Sequence, residues 1–160
     1  MAGMIDQLTA ILSEQAQRYE ELLGLAHEKK DIIVQNDIEA LQKITHLENM
    51  VISQNKRLEK QRLALAVDIA DVLGRRGQDL DIGTLLSLID GQPGQAELKA
   101  AGDRIREILA QLKEANDFNN SLIQNALDYI EYSLNMIRSS DQPVGLDYAN
   151  EMRSNFDVRK

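Results

Sequence analysis

Two histidines are the residues of this sequence whose spacing first suggests chemistry. His27 and His46 lie equally far from a turn predicted at Asn36-Asp37. An antiparallel helical hairpin would therefore place the two imidazoles at one level, with Glu28 and Glu48 nearby. Imidazole and carboxylate groups are common zinc ligands, so the pattern is compatible with a zinc site.

The residues around these histidines favour an interpretation as two surface side chains. Helical di-iron proteins carry a Glu three positions before a ligating His. Gly24 and Lys43 stand at those positions here. The sequence also has no cysteine, which excludes thiolate metal sites and cysteine nucleophiles. We therefore predict no metal site, no cofactor and no catalytic residue, in a protein that is not an enzyme.

The most basic segment, Lys56–Arg62, raises the question of nucleic-acid binding. No aromatic residue near it could stack on bases, and Glu59 interrupts the positive charge, so we interpret the segment as a solvated helix face. The whole chain has 26 acidic and 18 basic residues, a net charge of −8. Nucleic acids and anionic membranes attract basic surfaces, so neither is expected as a partner.

Length and composition indicate one elongated helical domain. The 160 residues fit a single domain, and aromatic residues make up only 4% of them, as is common in long helices. The longest apolar run, Leu63–Val67, is far shorter than the roughly 20 residues of a spanning helix, so we expect no stable membrane insertion. The start of the sequence lacks the basic and apolar segments of a secretory signal, so we expect a cytoplasmic protein.

Apolar residues recur every three or four positions in three long stretches, which is the spacing of one helix face. The pattern predicts long helices at 4–35, 38–73 and 95–138, with a short helix at 84–89. The predicted fold is all-α: an elongated antiparallel bundle of three long helices that share one core, with one short extra helix, over residues 1–138. The predicted core residues include Leu41, Ile44, Val51, Leu58, Leu65, Ile105, Ile108 and Leu112.

Polar residues interrupt each of the three apolar stripes. Gln15 and Lys29 break the first, and Asn55 and Arg62 break the second. In the third, two asparagines, at positions 116 and 119, approach the stripe. One interpretation is a buried polar layer that fixes helix register, as Asn does in coiled coils. The other is a docking surface that alternates between buried and exposed states.

The last 22 residues, 139–160, form a polar tail without helical periodicity, which we expect to be mobile in the free protein. Tyr148, Met152 and Phe156 recur at every fourth position in it, and Leu146 precedes them. This spacing predicts that Tyr148, Met152 and Phe156 line one face of a short helix on a partner surface. We expect Leu146, Met152 and Phe156 to contribute to recognition by the tail.

The C-terminal half of the sequence resembles the FlgN family of flagellar export chaperones. The resemblance rests on an Asn-x-x-Asn-x-x-Leu-Ile segment, on the amphipathic helix that continues it, and on a tyrosine beyond a polar break with Pro143. These residues are Asn116, Asn119, Leu122, Ile123, Leu127, Ile130, Leu134, Ile137 and Tyr148. The first 76 residues agree with the family only in general character.

The resemblance implies a cytoplasmic chaperone that holds flagellar hook-associated proteins, which form the hook–filament junction, before their export. The amphipathic segment would bind the client, and Tyr148 would dock the chaperone at the export gate or ATPase complex of the flagellar type III apparatus. The implied client-binding residues are Leu122, Ile123, Leu127, Ile130, Leu134 and Ile137. One departure is Ala149, which stands where the family often has Gly.

The helical pattern alone also allows a structural protein. A coiled-coil stalk or adapter would pair its helices with another long helical chain. Such a protein would have an apolar seam continuous enough to dimerise stably without a client.

Overall fold

A computed structural model describes residues 1–78 and 80–138 of the chain. The predicted tail at 139–160, with Leu146, Tyr148, Met152 and Phe156, lies outside the described residues. The described part contains four helices and no strand: α1 (Ala2–Val34), α2 (Ile38–Val72), α3 (Ile82–Leu88) and α4 (Gln95–Arg138). The predicted all-α class, with three long helices and a short one, is confirmed.

Local residues explain where the helices begin and end. Asn36 adopts the left-handed conformation, with φ 55°, and reverses the chain between α1 and α2. The Asp37 carboxylate then accepts a hydrogen bond from the Ala40 N–H at 3.1 Å and caps α2. The Asp81 carboxylate caps α3 in the same way, accepting from the Thr84 N–H at 2.6 Å.

Helices α1 and α2 are antiparallel. Gln15 Nε2 donates to Glu59 Oε2 at 2.9 Å, and Lys29 Nζ lies 3.1 Å from Glu48 Oε1. The residue number rises along α1 between these two contacts and falls along α2. The tight Asn36-Asp37 turn therefore produces a helical hairpin, as the sequence predicts.

Helices α1 and α4 are parallel, because α3 and its loops return the chain to the end of the bundle where α1 begins. Gly94, with φ +92°, lies directly against Ile5, and a Cβ added there would lie 3.1 Å from Ile5 Cγ2. Further along both helices, Asn119 Nδ2 donates to the Ala26 carbonyl at 2.8 Å. Helix α2 is thus antiparallel to both of the other long helices.

Helix α1 is the central element of the bundle. It packs along both α2 and α4, whereas the backbones of α2 and α4 approach each other closely at almost no point. A groove therefore separates α2 from α4, and α1 forms its floor.

Two apolar clusters stabilise the bundle, where the sequence predicts one core shared by the three long helices. The proximal cluster, near the start of α1, joins all four helices through Ile5, Leu8, Leu12, Leu65, Ile69, Leu85, Ile89, Leu98 and Ala101. The distal cluster, near the α1–α2 turn, contains Ile33, Leu41, Ile44, Ile123 and Leu127. The prediction of one core is corrected to two clusters. Polar side chains are buried between them, among them Gln15, Lys29, Asn55 and Asn119.

Most of the predicted core residues are buried. Leu41, Ile44, Val51, Leu58, Leu65 and Ile108 are buried as predicted. Ile105 and Leu112 are only partly buried. Leu112 lines a cavity in the groove, and Ile105 packs against the edge of the proximal cluster, so each keeps one side open to solvent. None of the described helices is long and apolar enough to cross a membrane.

Candidate functional site

The C-terminal end of α4 extends beyond the rest of the bundle. Asn119 is level with Ala26, and α1 ends at Val34. At 1.5 Å per residue, α4 passes the end of α1 near residue 127, so residues 128–138 project about 16 Å past the α1–α2 turn. Apart from Ile130 and Leu134, which are partly buried, the apolar side chains of this projecting segment are exposed.

The six predicted client-binding residues lie on the side of α4 that faces the bundle. Ile123 and Leu127 are buried in the distal cluster, and Leu122 and Ile130 pack against it, partly buried. Leu134 is partly buried, and Ile137 is exposed. The stripe therefore begins in the core and ends in solvent, so its first residues stabilise the free bundle.

A second apolar stripe on α4 was not anticipated from the sequence. Phe118, Tyr129, Tyr132 and Met136 are exposed, the two tyrosines by 71% and 63%. Together with Leu122 and Asn125, these residues follow steps of four and three, which is the heptad spacing of a helix that pairs with another helix. That spacing is visible in the sequence and could have revealed the stripe. We call these four exposed side chains the aromatic stripe.

A polar cavity of about 300 Å³ lies between α1, α2 and α4, in the groove between the two apolar clusters. The Lys29–Glu48 ion pair forms part of its wall, and both side chains are largely removed from solvent. Burial raises the pKa of Glu48 to about 7, although the adjacent Lys29 ammonium favours the ionised carboxylate. The lining residues are Leu22, Lys29, Thr45, Glu48, Asn49, Ile52, Lys56, Leu112, Asn116, Asn119 and Asn120.

A second polar group lies closer to the proximal cluster. Glu59 accepts hydrogen bonds from Gln15 Nε2 at 2.9 Å and from Arg62 Nε at 2.8 Å. The Arg62 hydrogen bond lowers the pKa of Glu59. Asn55 is buried in the same region, and burial raises the pKa of Tyr19. Gln15, Lys29, Asn55 and Arg62 interrupt the apolar stripes of α1 and α2. Together with their partners they form the polar region between the two clusters, which we call the polar middle.

The two asparagines of the α4 stripe differ in their placement. Asn119 is 2% exposed and donates a hydrogen bond to the Ala26 carbonyl, which ties α4 to α1. Asn116 is exposed at the margin of the cavity. The predicted buried polar layer is thus confirmed for Asn119, and Asn116 remains available to a ligand.

The other candidate features lie on the surface. His27 and His46 are both exposed. Within residues 1–78 and 80–138, no three His, Asp or Glu side chains are grouped so that they could hold a metal ion. In the basic segment, Lys56, Arg57 and Lys60 are exposed, as expected of a solvated helix face.

Comparison with known proteins gives one match. A family model described as "FlgN protein" matches residues 1–151. No curated protein and no solved structure matches the chain.

Proposed function

The chain belongs to the FlgN family of flagellar export chaperones, and from this we propose that it binds hook-associated proteins and delivers them to the flagellar type III export apparatus. In this proposal the protein acts in the cytoplasm, before export, and catalyses no reaction. The observation that carries the proposal is the part of the aromatic stripe on the projecting end of α4, which consists of Tyr129, Tyr132 and Met136.

The chemistry of the stripe suits a chaperone that must cover apolar surface on its client. Tyr129 and Tyr132 combine large apolar rings with hydroxyl groups, so they can be exposed in the free protein and buried in a complex. Their spacing on one helix face is the pattern by which a helix docks on an apolar groove or on another helix. A client helix could therefore pair with the end of α4 without unfolding the bundle.

The six client-binding residues predicted from the family resemblance fall into two groups, which would contact the client at different stages. Leu134 and Ile137, beyond the α1–α2 turn, could contact the client directly. Ile123 and Leu127, together with their partly buried neighbours Leu122 and Ile130, could do so only if α4 separated from the distal cluster. We therefore propose that the client first binds the projecting end and the aromatic stripe.

In this proposal the tail attaches the chaperone to the export apparatus. By family resemblance, Tyr148 docks the loaded chaperone at the export gate or ATPase complex. Leu146, Met152 and Phe156 would assist this attachment or the binding of the client.

Isothermal titration calorimetry with purified hook-associated proteins tests the proposal. Replacement of two exposed residues, Tyr129→Asp with Tyr132→Asp, should weaken binding by at least about tenfold, a loss of about 1.4 kcal/mol. Asn135→Asp adds a charge to the same exposed segment beside the stripe and is the matched control, which should bind as the wild type does. Ile130→Asp and Leu134→Asp test the predicted inner stripe.

Two results would contradict the proposal. One is that no hook-associated protein binds the chain. The other is that the folded double tyrosine variant binds its client as tightly as the wild type does, which would place the client surface elsewhere.

The heptad spacing of the aromatic stripe also supports a second candidate, a coiled-coil adapter that pairs with another long helical chain. Sedimentation equilibrium of the chain alone separates the two functions. A stable dimer that the double tyrosine variant abolishes would favour the adapter, and a monomer that binds hook-associated proteins would favour the chaperone.

A further inference from the structure

The central cavity has features that packing of the bundle does not explain. It lies between α2 and α4, whose backbones approach each other closely at almost no point, and its volume of about 300 Å³ is at the lower end of the range for ligand sites. An apolar contact between α2 and α4 would close this space. Carboxamide, ammonium and carboxylate groups line it together with three apolar side chains, Leu22, Ile52 and Leu112.

A buried ammonium group stands in the wall of this cavity. The Lys29 side chain is 3% exposed, and its ion-pair partner among the described residues is Glu48, at 3.1 Å. An ammonium group has three N–H donors, so this single contact leaves donors for a ligand oxygen. A buried cation with unused donors favours an anionic or strongly polar group beside it.

The charge of the lining has the opposite sign to that of the whole chain. Lys29 and Lys56 contribute two positive charges to the cavity and Glu48 contributes one negative charge, whereas the chain as a whole carries −8. A carboxylate would therefore be attracted to this part of the surface and repelled by most of the remainder.

Three asparagines at the cavity add groups that bind peptide main chain. Asn49 on α2 and Asn116 and Asn120 on α4 are exposed at the margin, and none of them makes a side-chain hydrogen bond within the described part of the chain. Each carboxamide offers two donors and one acceptor. Asn116 and Asn120 are one helical turn apart, about 6 Å, which is close to the ~6.6 Å between alternate residues of an extended peptide.

We propose that this cavity binds an acidic side chain on an extended peptide segment of the client, with Lys29 as counter-ion and Asn49, Asn116 and Asn120 as main-chain ligands. The source of the peptide rests on the proposed function. Binding of an acidic peptide by the cavity does not rest on that function, because synthetic peptides can test it.

Glu48 makes the proposed binding depend on pH. The titratable groups that line the cavity together with Glu48 are Lys29 from α1 and Lys56 from α2, and the α4 part of the lining contributes no titratable group. Burial raises the pKa of Glu48 to about 7, so at lower pH the carboxyl group becomes neutral and no longer repels a second carboxylate. Binding should therefore be about tenfold tighter at pH 6 than at pH 8, and Glu48→Gln should remove this difference.

The test uses the full chain, labelled with ¹⁵N, and the peptide acetyl-Ala-Ala-Asp-Ala-Ala-amide as the probe. Titration should produce saturable NMR shifts in the side-chain amides of Asn49, Asn116 and Asn120. The same peptide with Asn in place of Asp should bind at least about tenfold more weakly, as expected for the loss of a hydrogen bond to a charged group.

Two sets of variants connect the binding to the cavity. Asn116→Ala with Asn120→Ala replaces exposed helical residues, so the fold should survive and peptide binding should fall about tenfold. Asn135→Ala, on the same helix but away from the cavity, should change nothing. Lys56→Gln should weaken binding, whereas Lys60→Gln, outside the lining, should not.

Several outcomes would overturn the inference. They are the absence of saturable shifts, equal binding of the Asp and Asn peptides, or unchanged binding by the folded double asparagine variant. If sodium acetate binds as tightly as the peptide, the cavity is a small-anion site with no peptide recognition. Failure of this site would leave client binding by the aromatic stripe intact, and calorimetry with hook-associated proteins would show the difference.

Discussion

Lys29 Nζ lies 3.1 Å from Glu48 Oε1, in a pair whose side chains are only 3% and 14% exposed. Removing two charges from water costs free energy that their mutual attraction seldom exceeds, so this pair contributes little net stability. Its position between the proximal and distal clusters divides the apolar core. We infer that the polar middle serves register and binding, while the two clusters supply most of the stability.

The raised pKa of Glu48 predicts a pH-dependent stability. In the unfolded chain Glu48 ionises near its ordinary pKa of 4.5, and in the folded chain near 7. Between these values the folded state holds more protons than the unfolded state, so the free energy of unfolding falls as pH rises. Relative to Glu48→Gln, the wild type should lose at most about 1.4 kcal/mol per pH unit across this window.

Urea denaturation at half-unit steps of pH measures this difference. Glu39→Gln, at an exposed position of the same helix, is the matched control. A constant difference between wild type and Glu48→Gln from pH 4.5 to 7 would show that Glu48 is ionised throughout.

Buried apolar residues that belong to neither cluster should also be sensitive to truncation. Leu58→Ala and Ile108→Ala each remove a buried side chain and should cost about 2–5 kcal/mol of unfolding free energy. Leu63→Ala, on the exposed side of α2, should change stability by no more than about 0.5 kcal/mol. Thermal melts of the three variants are sufficient, and an unchanged melting temperature for both core variants would be inconsistent with this packing.

Asn119 should stabilise the contact between α1 and α4. Asn119→Ala removes the donor to the Ala26 carbonyl and leaves a small void, at an expected cost of about 1–3 kcal/mol. Asn120→Ala changes the next residue, which is exposed, and should be nearly neutral. Chemical denaturation compares the two variants. Equal stabilities would show that the buried hydrogen bond contributes nothing to the fold.

The helices could be predicted because their signals are local. The predicted long helix at 95–138 coincides with α4, and the turn at Asn36 follows from the ability of asparagine to adopt positive φ. The short helix was predicted at 84–89 but spans Ile82–Leu88, because the Asp81 cap starts it earlier. This cap residue is visible in the sequence, so the earlier start of α3 could have been predicted.

The polar middle could be predicted only in part. Gln15 and Lys29 were recognised as interruptions of an apolar stripe, but their partners Glu59 and Glu48 depend on the register between two helices. Register is set by packing across the whole hairpin, which no local pattern reveals. For the same reason the cavity beside Lys29 could not be foreseen.

The proposed client surface could not be identified from the sequence, for a different reason. Spacing identified the stripe through Ile123 and Leu127, but spacing does not tell whether a neighbouring helix covers it. The aromatic stripe through Tyr129 and Tyr132 also has helical spacing and is the exposed one. Only the placement of α1 and α2 decides which of the two faces solvent.

The tail gives the last prediction, which rests on sequence and family resemblance. The apolar repeat ends at Ser139, and from the sequence we expect the spaced apolar side chains beyond it not to offset the roughly 1–2 kcal/mol per residue needed to order the backbone. Removal of 139–160 should therefore leave the melting temperature nearly unchanged while weakening attachment to the client or the export gate. Tyr148→Ala should reproduce the gate defect alone. Thermal melts and secretion of hook-associated proteins are the two measurements. A truncated chain that unfolds would show that the tail is structural, and normal secretion would show that it is dispensable.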